Sequence, residues 1–498
     1  MGMKEKLWQN RHLILLLLIL VFAFFVRFDY LTEYSDQGLW YDEGEYLLRA
    51  ESIAFDDLED PEGVAERRPV LMPAIWGSIL FLGGGEYSIK FFQVLISVLT
   101  ILFVYLLGKE AHSKNLGLIM AALLAISWIH IFFSIRIVLD EAALLFSVMA
   151  MYFFVRCCKN SNWKDSVLAG VFTALAVMSF YIPLYLIPLF LVYLFFTKKF
   201  DMFKDKNFWY GVLAFVLALA PWLLWSYIVH GDPLFGLIQY HGTGQIEEGY
   251  DFGILGFFKV FPAVALTGMM IFFLIGLIKS LIDVGLSLDL IWNRKTKKLD
   301  FDVLFLGWLL IVPIALGIEI VHVEQRYMFP AFIALFYFLG KGLLWLKDVI
   351  DKNLAEKSKE AKYLSVILII LLLAYFAFAQ LSYAEAAIGG SSSSFQQQRE
   401  AGDWLSENME LEDNFVACSY VVVYQAYAER QGYAFGMDVS LMDEVIEKYD
   451  PKYLVADAFT SDCAFEEIVS RGDQFVQKAI FYYDEAETQP IVVIYEVV

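Results

Sequence analysis

The amino-acid sequence predicts a polytopic α-helical membrane protein of about eleven spans, with a small extramembrane α/β domain at its C-terminal end. Three observations lead there. Of 498 residues, 59% are hydrophobic and 19% charged, against about half apolar and a quarter charged in a soluble domain. The apolar residues gather into runs close to the roughly 20 residues that carry a helix across a bilayer. After residue 394 those runs stop, and short segments alternate between helical and strand-like patterns.

The first run, Trp8 to Phe28, is flanked by Lys4, Lys6 and Arg11. Its core is longer than that of a signal peptide and no small-residue cleavage site follows, so it reads as a retained anchor. The expected spans are 10–28, 89–108, 115–133, 138–156, 165–181, 182–197, 208–229, 260–281, 302–320, 327–345 and 362–381. The least distinct boundary separates the fifth from the sixth, where Tyr181, Pro183 and Pro188 mark a bent or short pair. With the N-terminus inside, 23 of the 37 Lys and Arg residues fall in cytoplasmic stretches. That bias places the C-terminal domain outside, at a cell membrane or an ER membrane.

Acidic residues follow the opposite pattern. The first outer loop, Asp29 to Arg68, holds thirteen Asp and Glu against three Arg, and the tail from 384 holds 22 against six basic residues. Most of these read as solvated surface. A net charge of −20 argues against nucleic acid as a partner. The expected organisation is a transmembrane domain over 1–383 with an outer loop at 29–88, a linker at 384–394 containing Gly389 to Ser394, and a soluble domain over 395–498. In that domain Gln396 to Asn408 and Leu441 to Tyr449 read as helices, and NFVACSYVVV, KYLVADA and IVVIYEVV as strands. Cys157 and Cys158 end a span; Cys418 and Cys463 lie in the tail, where a disulfide is one option. No His/Cys spacing supports a zinc site.

Ionisable side chains in a membrane each cost a few kcal/mol, so their placement carries information. The centres of the spans are almost free of them, and the exceptions gather at the outer boundary. They are Asp42, Glu43 and Glu45 in WYDEGEY; Arg67 and Arg68 in ERRPVLMP; Arg136, Asp140 and Glu141 in SIRIVLDE; and Glu319, His322, Glu324 and Arg326 in IEIVHVEQRYMFP. An ion-coupled transporter more often buries charge near the midplane, beside broken helices in repeated halves. This pattern suits a lipid-borne anionic substrate approached from outside.

These motifs resemble the polyprenyl-phosphate-sugar-dependent glycosyltransferases of the C-type membrane fold (GT-C), among them protein O-mannosyltransferases and the bacterial aminoarabinose transferase. The resemblance rests on Asp42-Glu43 after the first span, Arg68-Pro69-Val70-Leu71 before the second, Arg136 with Glu141 five residues on, Pro221 to Phe235, and Glu324 to Phe332. It covers roughly residues 1–345. Two features depart from it. The stretch MSFYIP lacks the Lys that many relatives carry after the fifth span, and WWDYG, the signature of oligosaccharyltransferase catalytic subunits, is absent. The latter weighs against transfer of a whole oligosaccharide to asparagine.

The resemblance implies an inverting transfer of sugar from a dolichyl or undecaprenyl phosphate to an acceptor hydroxyl on a protein, lipid or glycan. Such a reaction needs a base for the acceptor and positive charge for the leaving phosphate. Asp42 is the candidate base; its alternative is the N-cap of a helix starting near Gly44. Glu43 is a candidate for binding acceptor or sugar hydroxyls, or else a solvated acid in a first turn. Arg326 is the preferred phosphate ligand through its bidentate fork, set against an interfacial arginine reaching for lipid headgroups. Arg68 and Arg67 are further phosphate candidates. Arg136 and Glu141 read first as a structural pair one turn apart, with Asp140, Glu141 and Arg136 as substrate or phosphate contacts second. His322 and His241 read as interfacial hydrogen-bonding residues. The loop Gly231 to Lys259, with Glu247 and Glu248, is a lid or an interfacial segment. No cofactor is required; a divalent cation is possible on the clustered acids but no ligand spacing supports it. The competing classes are a transporter or flippase of a lipid-linked substrate and a catalytically inactive scaffold.

Overall fold

The computed structural model describes residues 10–55, 68–242, 253–292, 300–319, 324–355, 361–418, 421–435, 441–459, 465–483 and 486–498. Helices α1 (Arg11–Glu33), α2 (Tyr41–Phe55), α3 (Leu71–Phe81), α4 (Glu86–Ala111), α5 (Lys114–Ile126) and α6 (Trp128–Ser134) come first. Then follow α7 (Asp140–Asn160), α8 (Trp163–Ser179), α9 (Leu186–Lys198), α10 (Lys206–His230), α11 (Phe235–Gly242) and α12 (Gly253–Trp292). The helical part closes with α13 (Asp300–Glu319), α14 (Phe329–Ala355) and α15 (Ala361–Gly390). The chain forms two compact units, Met1–Thr32 with Lys90–Ile388 and Glu33–Ile89 with Gly389–Val498.

The first unit is a helical membrane bundle. Among the described residues eight helices are long and apolar enough to span a membrane, nine when α5 and α6 count as one bent span. This is fewer than the eleven expected, because two expected segments make short helices. Helix α8 has 17 residues, and the apolar part of α13 is Phe301–Gly317. At about 1.5 Å per residue each reaches roughly 26 Å, short of a hydrocarbon core of about 30 Å. The fifth and sixth segments are separate helices, joined through a 3-10 turn at Ile182–Tyr185 that has Pro183 in its first positions.

The bend between α5 and α6 is 59°. A broken span leaves carbonyls and N–H groups that hydrocarbon cannot satisfy, and side chains from α1 and α15 supply the partners. Arg27 donates to the Leu124 and Ala125 carbonyls at 3.5 and 3.1 Å. Across the break, Gln380 Oε1 accepts from the Trp128 N–H at 2.9 Å while its amide donates to the Val264 carbonyl at 2.8 Å. Arg27 also donates to His130 Nδ1 at 2.7 Å. A guanidinium only donates, so Nδ1 accepts and the ring proton sits on Nε2, which stands 3.1 Å from Glu141 Oε2. Arg27, His130 and Glu141 are all fully buried.

The second unit combines the first loop with the C-terminal tail. After α16 (Gln396–Asn408) come β1 (Asn414–Ala417), α17 (Val421–Ala428), β2 (Gln431–Ala434), α18 (Met442–Tyr449) and β3 (Tyr453–Asp457). The chain ends with α19 (Phe465–Ser470), β4 (Phe475–Tyr482) and β5 (Pro490–Val497). The sheet order is β2-β1-β3-β5-β4, parallel through β2, β1 and β3 and antiparallel from β3 to β5 to β4. Its core includes Val416, Phe435, Met442, Leu454, Phe475 and Val493. Helix α2 packs on α17: a Cβ at Gly44 would press into Val423, and Tyr427 Oη accepts the Leu39 N–H at 2.8 Å. The Gly/Ser stretch is a tight turn here, not an open linker. Helix α15 runs through Gly390, and the Ser391 carbonyl accepts from the Gln37 amide.

Replacing Arg27 with Leu removes one partner of a buried charge set and uncaps two carbonyls, at a cost of about 3–5 kcal/mol. Thermal unfolding in detergent should show a clear drop in midpoint for Arg27→Leu; an unchanged midpoint would contradict this role.

Candidate active site

Two groups of the expected residues are assembled, one in each unit. In the second unit α2 begins at Tyr41, because the Gly44 N–H already bonds the Trp40 carbonyl at 2.9 Å. Asp42 therefore lies inside the first turn and is not the N-cap. Glu43 turns back to accept the Trp40 N–H at 3.0 Å, the glutamate half of a capping box. It is 3% exposed, so its geometry is that of a residue holding the turn, not a solvated acid or an open substrate ligand.

Arg68 ties the acids together. It reaches Glu45 at 3.0 Å through Nε and 3.2 Å through Nη2, and Asp42 at 3.4 Å, with its guanidinium 5.7 Å from the Tyr46 ring centroid. Burial opposes its charge, but Tyr46, Glu45 and Asp42 together hold its pKa well above the ordinary arginine value. Glu45 is 1% exposed at the side chain while Asp42 keeps 24%. Of the α2 carboxylates that Arg68 holds, Asp42 is the one open to an incoming group.

In the first unit the relevant segment links α6 to α7. Gln93 on α4 donates to the carbonyls of Arg136 and Val138 at 3.3 and 2.6 Å, which fixes this short connection. Arg136 is buried with its guanidinium 4.3 Å from the Phe132 centroid. Asp140 and Glu141 open α7. The expected Arg136–Glu141 pair does not form: Glu141 is fully buried against His130, since its place one residue into the helix turns it inward. Arg326, in a 3-10 turn (Gln325–Met328), is also buried rather than lipid-facing. Its Nε lies 2.6 Å from Glu324, and its guanidinium is over Tyr327 and Phe133 at 5.4 and 6.0 Å. Phe132 and Phe133 stack edge to face at 5.0 Å, so Arg136 and Arg326 share one aromatic cluster.

Sequence reasoning did not single out Arg27, His130 and Gln93. The available signal was Arg27 itself, a charge inside the first apolar run, with His130 and Gln93 inside others. Arg67, His322, Glu247, Glu248 and Cys463 lie outside the described residues, as do the side chains of Glu319 and His241. Among the described residues, no three His, Cys, Asp or Glu side chains gather as a metal site.

The arrangement can be compared with known proteins. Comparison with curated protein sequences finds no match. The chain has the architecture of the GT-C membrane glycosyltransferases: it superposes on ArnT from Cupriavidus metallidurans bound to undecaprenyl phosphate, with TM-score 0.66 at 11% identity, over 97% of this chain and 98% of that one. It also matches the archaeal oligosaccharyltransferase AglB from Archaeoglobus fulgidus in complex with an inhibitory peptide and a dolichol-phosphate, with TM-score 0.64 at 15% identity. That match covers 99% of this chain and 75% of AglB. Within this fold, residues 67–225 match the family model of dolichyl-phosphate-mannose-protein mannosyltransferase. The matched segment contains the Arg68, Arg136, Asp140 and Glu141 positions.

One further carboxyl on α2 gives a test by pH. Burial, and then the nearby Glu429, push Glu51 up to about 8, and its Oε2 is buried without a hydrogen-bond partner. An acid with a raised folded-state pKa favours folding while protonated. Its contribution is complete below the unfolded value near 4.5 and is lost as pH rises to about 8. Glu51→Gln should remove a loss on the order of a few kcal/mol over that window. Melting curves from pH 5 to about 9 should converge at low pH and separate at high pH in favour of the variant; parallel curves would contradict it.

Proposed function

We propose that this chain is a glycosyltransferase that moves a sugar from a polyprenyl-phosphate donor to an acceptor hydroxyl, by a single inverting displacement on the extracytoplasmic side of the membrane. The observation that carries the reading is Asp42: a partly open carboxylate, held on one oxygen by Arg68, in a chain whose fold is that of enzymes captured with lipid phosphates. Asp42 is ionised beside Arg68 and accepts the proton of the acceptor hydroxyl as the new glycosidic bond forms. The sugar–phosphate bond breaks on the opposite side of the anomeric carbon, and the electron pair leaves with the lipid phosphate. Arg326 and Arg136 take the phosphate role, because a buried guanidinium stabilises growing negative charge more strongly than an exposed one. Arg68 acts on Asp42 and Glu45, orienting the base. Asp140, at the start of α7, meets the sugar hydroxyls, while Glu43 and Glu141 hold the turn of α2 and the break at α6.

ArnT bound to undecaprenyl phosphate and AglB bound to dolichol-phosphate support a lipid-phosphate donor. The positive-inside bias supports a cytoplasmic N-terminus and an extracytoplasmic second unit. The proposed steps use the chain's own groups.

Proteoliposomes offered synthetic polyprenyl-phosphate mannose, glucose and aminosugar donors with a radiolabelled sugar provide the test. Wild type should transfer label from one of them. Asp42→Asn should lower the rate by about 10²–10⁴-fold while the protein stays folded. Equal turnover would remove Asp42 as the base, and no transfer by wild type from any donor would favour a lipid-linked transporter.

A further inference from the structure

The bundle holds an apolar groove toward the end of α7 opposite Asp140. Helices α8 and α10 meet backbone to backbone, Gly170 against the Gly211 carbonyl, while α9 diverges from them. The gap is a groove of about 370 Å³ lined by Phe190, Leu191, Leu194, Phe208, Val212 and Phe215, among other residues. Its hydroxyl groups are already used: Ser166 donates to the Asn207 carbonyl and Thr173 to the Ala169 carbonyl. Water needs two to four polar partners in such a space, and this lining offers only hydroxyls whose protons are already committed. An empty apolar void of that size forfeits the contacts of its walls. An apolar chain is the occupant that satisfies both.

The groove runs into a smaller pocket, sharing Phe154, Ser166, Ala169, Leu194 and Phe208 with it. That pocket adds Asn207 and the ion pair of Lys198 with Asp205. The connecting segment Lys198 to Lys206 carries four Lys and two Asp, and Phe200, Phe203 and Trp209 are exposed around it. Exposed aromatics beside lysines mark the level of lipid headgroups. With Lys198 paired to Asp205 and Lys204 to Asp201, the segment keeps an excess of two positive charges, which at that level attracts anionic headgroups. The N-terminus of α10, at Lys206, adds the positive end of a 25-residue helix dipole.

We infer that this chain binds one anionic phospholipid at the α8–α9–α10 groove, with an apolar chain between α9 and α10 and its phosphate at the lysine-bearing end. The site shares no lining residue with Arg136 or Arg326 and does not depend on the glycosyltransferase reading.

Native mass spectrometry of the full chain in mild detergent, with lipid extraction of the same sample, tests it. Wild type should retain a phospholipid with an acidic headgroup, and adding that lipid should raise the melting midpoint more than a zwitterionic lipid with the same chains. Leu191→Trp and Val212→Trp fill the groove from half-exposed positions, and each should lose most of the retained lipid and most of the shift. Lys204→Gln with Lys206→Gln, both exposed, should equalise the two headgroups. Absence of retained phospholipid, retention unchanged in both tryptophan variants, equal shifts by both headgroups in wild type, or retention of a polyprenyl lipid alone would each overturn the assignment.

Discussion

The membrane bundle depends on one constraint: inside hydrocarbon, every freed backbone group and every charge needs a partner. The third span is broken at Ser127, and the break is sustained from both sides by Arg27 and Gln380. Because Arg27 also donates to its own helix and to His130, the imidazole is held in one tautomer facing Glu141. Glu141 is the second residue of α7, so the Arg27–His130–Glu141 line fixes where that helix starts. Gln93 fixes the connection just before it. Arg136 and Asp140 thus sit on a segment whose two ends are anchored by buried polar contacts, the pre-organisation a charge-stabilising site requires.

The second unit obeys a different logic. Helix α2 is short and is covered from two sides: α3 packs on it where Gly77 meets the Ala50 carbonyl and Trp76 meets Tyr46, and the tail packs where α17 covers Gly44 and Tyr427 takes the Leu39 N–H. The strip carrying Asp42 is therefore held in part by residues about 380 positions later in the chain. The tail braces the turn that carries Asp42.

Much of this was legible in the sequence, and the unread part has identifiable causes. The spans were readable because hydropathy reports them directly; the two short helices were not distinguished, since a 17-residue apolar run and a 20-residue one look alike until their ends are placed. Asp42 and Arg68 stood out as charges at a membrane boundary, yet their contact links positions 26 apart across a loop with no periodic pattern. The pairing of Glu141 with His130 could not be read from spacing, because Arg136 is the nearer partner in sequence and the break at Ser127 is what brings His130 round. The docking of α2 on the tail left no local trace at all, as Gly44 and Val423 are each unremarkable in their own segments.

The central claim is a direct displacement at the anomeric carbon by an acceptor activated at Asp42. It is tested most directly by determining the anomeric configuration of the transferred sugar, by nuclear magnetic resonance of the isolated product, against that of the donor. The account predicts the opposite configuration, with no sugar covalently attached to the protein when the reaction is quenched in mid-course. Retention of configuration, or a glycosylated protein carboxylate in the quenched sample, would contradict it.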